Sequence, residues 1–116
     1  TSVQGCKADT MGLGPIGATQ KALARAKLSI NEIDIVELNE AFASQSLACI
    51  KDLQIDPSKV NLDGGALALG HPLGATGARI TGKVAQLLKR ENKKYALASQ
   101  CIGLGMGIAT IIESVD

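Results

Sequence analysis

Val60-Asn-Leu-Asp-Gly-Gly-Ala-Leu-Ala-Leu-Gly-His-Pro-Leu-Gly-Ala-Thr-Gly-Ala-Arg79 holds five glycines, one proline and the only histidine of the chain, His71. Val60 to Leu62 reads as the start of a strand. The glycines then supply a loop with little side-chain bulk, where backbone can approach backbone or ligand closely. Pro72 fixes the turn after the histidine and pushes His71 toward an extended conformation. A helical pattern follows from Gly74 to Arg90. Its first half is Ala75, Thr76, Gly77, Ala78, Thr81, Gly82 and Ala85. Glycine lowers helix propensity, so residues this small predict close packing against another backbone, with the helix buried on more than one side. The stretch is thus a strand, a loop and a helix, with one imidazole held at the join.

Moving outward, the same alternation recurs. Downstream, Tyr95 to Cys101 is a predicted strand, Gly103 to Gly107 a tight turn and Ile108 to Glu113 a last strand. So short a connection makes that pair antiparallel. Upstream, Ser2 to Lys7 is a short strand. Pro15 opens a helix to Lys27, since a missing N–H costs nothing in the first turn. Ala18, Ala22, Leu23 and Ala26 give that helix its apolar stripe. Ser29-Ile-Asn-Glu32 reads as a capping box, and Ile33 to Leu38 as a buried strand. Asn39 is a favoured helix cap, predicting a helix from Glu40 to Leu53 with Phe42, Leu47, Cys49, Ile50 and Leu53 toward the core. The pattern β-α-β-α-β-α-β-β predicts an α/β domain. It has a five-stranded, mostly parallel mixed sheet, the last strand antiparallel, and helices on both faces.

Composition narrows the function classes. The 116 residues suffice for one domain with its own core. The apolar share is 46%, yet there is one Phe, one Tyr and no Trp, so the core is built from small and branched aliphatics. A net charge of +1 gives no electrostatic case for nucleic acid or an anionic membrane. No apolar run is long enough to span a bilayer. The chain opens on Thr1 without a signal-peptide pattern, which reads as a fragment or processed chain. Cys6, Cys49 and Cys101 show no C-x-x-C spacing, so a metal site is not expected. Their odd number points to a reducing, cytoplasmic setting.

Three further features carry chemistry. Gly12-x-Gly14-x-x-Gly17 follows a strand and opens a helix, with Glu37 twenty residues on, matching the dinucleotide-binding fingerprint. Pro15 speaks against that reading, because it removes a donor where a pyrophosphate would sit. Asn39-Glu40-Ala41-Phe42 lies where a strand ends and a helix begins. Cys101-Ile-Gly103-Leu-Gly105-Met-Gly107 puts a thiol at the carboxyl end of a strand, beside bare glycine N–H groups. Parallel strands present their carboxyl ends on one edge, so Asn39, His71 and Cys101 are expected to converge there. A histidine, a thiol and an amide together suggest acyl-transfer or carbanion chemistry.

Read as an ordered set, these motifs resemble the C-terminal half of the thiolases over essentially the whole chain. The resemblance rests on Met11-Gly-Leu-Gly-Pro-Ile16, Asn39-Glu-Ala-Phe-Ala43, Asn61 to Arg79 with Gly70-His-Pro72, and Cys101-Ile-Gly-Leu-Gly-Met-Gly107. Asn rather than His before Glu-Ala-Phe looks like the short-chain, acetyl-CoA acetyltransferase type. The related ketoacyl synthases usually carry His where this chain has Cys101. The resemblance implies half of a two-halved α/β/α/β/α fold and a reversible Claisen condensation of acyl-CoA thioesters. It implies no cofactor beyond the coenzyme A thioester substrates. The acylated cysteine of such enzymes belongs to an N-terminal half that this chain does not match. By the same resemblance His71 activates that nucleophile. Asn39 holds a water that forms an oxyanion hole with His71, Cys101 moves the α-proton, and the Gly103 N–H joins a second oxyanion hole. Met11, Ala41 and Phe42 would line the pantetheine tunnel. Leu104 departs from the glycine often found there. The implied partners are an acyl-CoA, the N-terminal domain and further copies in a homo-oligomer, and the chain alone is expected to be inactive. Two alternatives stand beside this: a longer-chain 3-ketoacyl-CoA thiolase, and a non-catalytic dinucleotide-binding module.

Overall fold

Pro15 sits in the first turn of α1 (Gly14–Ala26), and the helix stops at Lys27, whose backbone turns left-handed with φ 58°. The computed structural model describes residues 1–115. Ala18, Ala22 and Leu23 are buried along α1, as its spacing predicts, whereas Ala26 at its end is exposed. The capping box is also in place: the Glu32 carboxylate accepts from the Ser29 N–H at 2.7 Å and closes a single 3-10 turn over Ile30–Glu32.

Four strands form one sheet: β1 (Ser2–Gly5), β2 (Ile35–Leu38), β3 (Tyr95–Ile102) and β4 (Met106–Glu113), in the order β1-β4-β3-β2. β2 and β3 run parallel, with Ile35 opposite Ala96 and Leu38 opposite Ser99. β4 pairs antiparallel with both β3 and β1. Three strands therefore point one way and β4 the other. The closing hairpin is antiparallel, as the sequence suggests, and inserts its second arm into the middle of the sheet.

The expected fifth strand at Val60 to Leu62 is absent as a strand, so the five-stranded sheet is corrected to four. Only Val60 pairs, as a single parallel bridge to Val36. The next residue, Asn61, has φ 49°, which turns the backbone out of the extended region. Asn tolerates that conformation better than most residues. The ladder continues through its side chain. The Leu38 N–H donates to Asn61 Oδ1 at 2.9 Å, and Asn61 Nδ2 donates to the Leu38 carbonyl at 3.0 Å. One carboxamide stands in for one peptide group.

The second helix also differs. α2 spans Ala43–Asp52, and extended Phe42 occupies its cap position. Asn39 is not the cap. It is 1% exposed and its N–H still pairs with the Ser99 carbonyl, one residue beyond β2. Cys49 and Leu53 face the core, whereas Phe42 and Leu47 are exposed. A one-turn helix the sequence reading lacks, α3 (Ala66–Leu69), follows the Gly64-Gly65 pair.

α1 and α2 cover one face of the sheet, meeting Val36, Leu38, Leu97 and Ala109. α4 (Thr76–Arg90) covers the other with Ile80, Val84, Leu87 and Leu88 against Ile35, Ala96 and Ala98. Within this chain α4 is buried on one side only. Ala75, Ala78, Thr81, Gly82 and Ala85 are all exposed. The close backbone contact expected of them is instead made elsewhere, between Gly14 and Gly107. A Cβ on Gly14 would overlap the Met106 carbonyl and lie 2.6 Å from the Gly107 nitrogen. The amino end of α1 thus rests directly on β4.

Candidate active site

β2 and β3 run parallel, so Asn39 and Cys101 emerge at the same carboxyl edge of the sheet. His71 reaches that edge from the loop between α3 and α4. Asn39 Nδ2 lies 3.4 Å from His71 Nε2. On the other side of the ring, Nδ1 lies 2.7 Å from Thr76 Oγ1. The imidazole is held at both nitrogens.

A cavity of about 390 Å³ opens beside these groups. Its walls include Met11, Ala41, Phe42, His71, Cys101 and Gly103. Six of the seven sequence candidates therefore share one cavity, and the seventh, Asn39, stands behind it in contact with His71. Leu73, Gln100 and Ile102 complete the lining and were not among the candidate site residues. A larger groove of about 680 Å³ lies among Lys89, Asn92, Lys93, Lys94 and Glu113, and it holds none of the candidates. We assign the site to the smaller cavity because it alone joins a thiol, an imidazole and bare backbone at one sheet edge.

Burial pushes the Cys101 thiol up from its ordinary range. It is thus a protonated thiol at neutral pH within this chain, poised to donate rather than attack. Its backbone lies opposite Gly107, directly before the hairpin loop. In that loop Leu104 (φ 69°) and Gly105 (φ 81°) both take left-handed conformations, and Leu104 is 92% exposed. A Cβ on Gly103 would meet nothing within 4 Å, so this residue borders open space. Cys49, by contrast, is fully buried, and its thiol donates to the Gly12 carbonyl at 3.5 Å. Cys6 donates to the Thr10 and Met11 carbonyls.

The loop bearing His71 is tied down by Glu40. One carboxylate oxygen accepts from Asn61 Nδ2 at 3.0 Å and the other from the Leu67 N–H at 2.9 Å, at the start of α3. Gly65 makes room for this, since a Cβ there would lie 2.6 Å from Asn61 Nδ2. Glu40 and Asn61 were not selected as site residues from the sequence. Their signal, a carboxylate and an amide flanking two glycines, is legible only once the loop is folded. Asp63 then clamps the loop to α4 through Lys83 and Arg90.

The glycine fingerprint proves to be packing. A Cβ on Gly12 would meet Gln45 Cγ at 2.9 Å, and one on Gly17 would meet Gln4 Cγ at 2.8 Å. Gly14 is filled by β4, as described above. A 3-10 helix over Ala8–Leu13 runs straight into α1, and the Gly14 N–H is spent on the Met11 carbonyl. With that N–H used and Pro15 having none to offer, the start of α1 is poorly suited to cradle a pyrophosphate.

Glu37, the acidic partner of that fingerprint, points instead toward α4. It is 1% exposed. Burial raises its pKa from 4.5 to about 7, against the lowering pull of Arg79 and Lys83 and with a small push from Asp63 and Glu40. Glu37 Oε1, Asn39 Oδ1, and Arg79 Nε and Nη2 are buried without hydrogen-bond partners. The folded chain binds a proton at Glu37 more tightly than the unfolded chain does. Stability is therefore greatest below pH 4.5 as far as this group is concerned, and falls as pH rises through 7. The loss is about 3 kcal/mol once Glu37 is ionised. Urea denaturation of this chain across pH 5 to 8 is expected to show that decline, and Glu37→Gln to flatten it. A wild-type profile already flat over that range contradicts the assignment.

Among the described residues, no helix is long and apolar enough to cross a membrane. Nor are three or more His, Cys, Asp or Glu side chains grouped to hold a metal.

Comparison with known proteins agrees with this architecture. The family model described as "Thiolase, C-terminal domain" matches residues 1–114. The 3-ketoacyl-CoA thiolase of Alcanivorax borkumensis is 60% identical over 117 aligned positions, covering 98% of this chain and 30% of that protein. The crystal structure of human mitochondrial 3-ketoacyl-CoA thiolase in complex with CoA superposes with a TM-score of 0.97 at 51% identity, covering 99% of this chain and 29% of that one. The Bacillus anthracis acetyl-CoA acetyltransferase superposes with a TM-score of 0.96 at 45% identity, covering 98% of this chain and 29% of that one. The chain thus spans about 30% of the length of the relatives it matches.

Proposed function

The chain belongs to the thiolase family, and from that membership we propose that it is the C-terminal catalytic half of a 3-ketoacyl-CoA thiolase. The observation that carries the chemistry is the shared cavity: His71, Cys101 and Gly103 line one space, with Asn39 behind the imidazole. The substrate class follows the relatives. Proteins named 3-ketoacyl-CoA thiolase reach 60% identity and the acetyl-CoA acetyltransferase structure 45%. That ranking moves the acetyl-CoA reading, suggested above by Asn39 before Glu-Ala-Phe, to second place. The folds of the two types do not separate them, at TM-scores of 0.97 and 0.96.

In this reading the chain supplies proton transfer and oxyanion stabilisation, while the acylated cysteine comes from the N-terminal half. His71 takes the proton of that cysteine, whose sulfur bonds to the acyl carbon as the carbon–sulfur bond to coenzyme A breaks and the departing thiolate takes the proton of the neutral Cys101 thiol. In the condensing direction Cys101, as thiolate, removes the α-proton of a bound acetyl-CoA. The enolate oxygen is stabilised by His71 and by a water held on Asn39, and the Gly103 N–H faces the oxygen of the acyl-enzyme. In thiolysis the neutral Cys101 thiol donates that proton back to the α-carbon as the carbon–carbon bond breaks. Met11, Ala41 and Phe42 line the approach for pantetheine. The partners are accordingly an acyl-CoA, the N-terminal half and further subunits of a homo-oligomer.

The test is thiolysis by the full-length enzyme with acetoacetyl-CoA and with 3-ketooctanoyl-CoA. We expect the longer substrate to show the higher kcat/KM. A preference for acetoacetyl-CoA returns the acetyl-CoA reading to first place, and turnover by this chain alone overturns the half-site assignment.

A further inference from the structure

Thr76 is wholly buried at the start of α4, where its hydroxyl has two neighbours. Oγ1 lies 3.1 Å from the Pro72 carbonyl and 2.7 Å from His71 Nδ1. A hydroxyl has one proton to give and two lone pairs. The carbonyl four residues back is the usual local acceptor for a helical threonine. With the proton directed there, the oxygen offers only lone pairs to the ring, so Nδ1 carries the hydrogen. The other end of the imidazole agrees. Nε2 faces the Asn39 amide nitrogen at 3.4 Å, a group that only donates. Nε2 is therefore bare.

We propose that Thr76 is a positioning residue that locks His71 in its Nδ1–H tautomer and confines all proton exchange at this histidine to Nε2. The proposal rests on the thiolase reading only for the use made of the proton. In that use, the S–H bond of the nucleophilic cysteine breaks and an Nε2–H bond forms. The Nδ1–H stays on Thr76 Oγ1 in both the neutral and the charged ring. The new Nε2–H is then the donor toward the thioester or enolate oxygen. One nitrogen serves first as base and then as donor, and the ring does not turn over in between.

Because His71 is the chain's only histidine, ¹⁵N-histidine spectra of this chain report on one imidazole. In the neutral ring, Nδ1 is expected to be pyrrole-like and Nε2 pyridine-like. Thr76→Ser is expected to keep that pattern, and Thr76→Val to shift the population toward the Nε2–H tautomer. A wild-type ring protonated at Nε2 overturns the proposal, and that measurement stands even where Thr76→Val fails to fold. So does a Thr76→Val spectrum identical to wild type. In the full-length enzyme, Thr76→Val is expected to lower kcat on the order of 10²-fold with KM changed by less than about threefold, and Thr76→Ser to restore it. Equal losses for the two variants would make Thr76 a packing residue and overturn the proposal. The spectra do not depend on turnover, so a full-length protein without thiolase activity sinks the reading of function while the tautomer assignment stands or falls separately.

Discussion

Cys101→Ala in the full-length enzyme is expected to abolish condensation, by about 10³- to 10⁴-fold, while acylation of the N-terminal cysteine proceeds. The magnitude is that of a positioned acid–base group acting on carbon. The separation of the two steps follows from the geometry. Cys101 lies at the end of β3, whereas Nε2 of His71 is approached from the α3–α4 loop and held by Asn39 and Thr76. Removing the thiol leaves those contacts in place. Acylation, measured as the burst of coenzyme A released from acetyl-CoA, should therefore keep near wild-type amplitude. Condensation and thiolysis both need the α-proton moved and should fall together. Survival of condensation within tenfold of wild type would reduce Cys101 to a half-buried residue of the hairpin. Because burial raises the thiol's pKa, the wild-type condensing rate is also expected to climb with pH above neutrality, as the thiolate fraction grows.

The second large effect concerns folding. Gly14→Ala is expected to remove a large part of the chain's stability at 25 °C, a cost above about 4 kcal/mol against a typical stability of about 5–15 kcal/mol. The added methyl group would overlap the Met106 carbonyl, and the facing position is no roomier. A Cβ on Gly107 would overlap the Gly14 carbonyl group and lie 2.5 Å from the Pro15 nitrogen. These are backbone atoms on both sides, held by α1 and by a strand in the middle of the sheet, so no side chain can swing away. Gly82→Ala is the control. It lies on the exposed face of α4, with nothing within 4 Å of the new Cβ. It is expected to raise stability by about 0.5–1 kcal/mol through helix propensity alone. Circular dichroism melts of the three proteins decide the matter. A Gly14→Ala chain that melts within a few degrees of wild type would show that α1 can lift from β4.

How much of this was legible in the sequence depends on whether the signal was local. Pro15, the capping box at Ser29–Glu32 and the Gly103–Gly107 turn act within a few residues, and the elements they bound form close to where they are expected. The convergence of Asn39, His71 and Cys101 was legible because parallel strands share a carboxyl edge. Glycine was the poorest guide, since its meaning lies in what approaches it. Gly12, Gly14 and Gly17 match a phosphate-binding pattern, yet their spaces are filled by Gln45, β4 and Gln4. The small residues of α4 look like a backbone contact and are exposed within this chain. Asn39 reads as a helix cap by residue type, but its backbone is still paired with β3, which delays the helix to Ala43. Thr76 and Glu40 carried no local signal of the contacts they make. Each acts through a partner that only the folded loop brings near.

Asn61 has one more consequence. β2 would otherwise finish the sheet with a row of open backbone donors and acceptors, the template on which a foreign strand can add. Instead Val60 and the Asn61 N–H cover Val36, and the Asn61 carboxamide closes off both groups of Leu38. Just beyond, the φ of 49° at Asn61 carries the chain away before a further pairing can form. The margin of the sheet nearest the site is sealed by two residues, Val60 and Asn61, and it is protected there against strand exchange and aggregation.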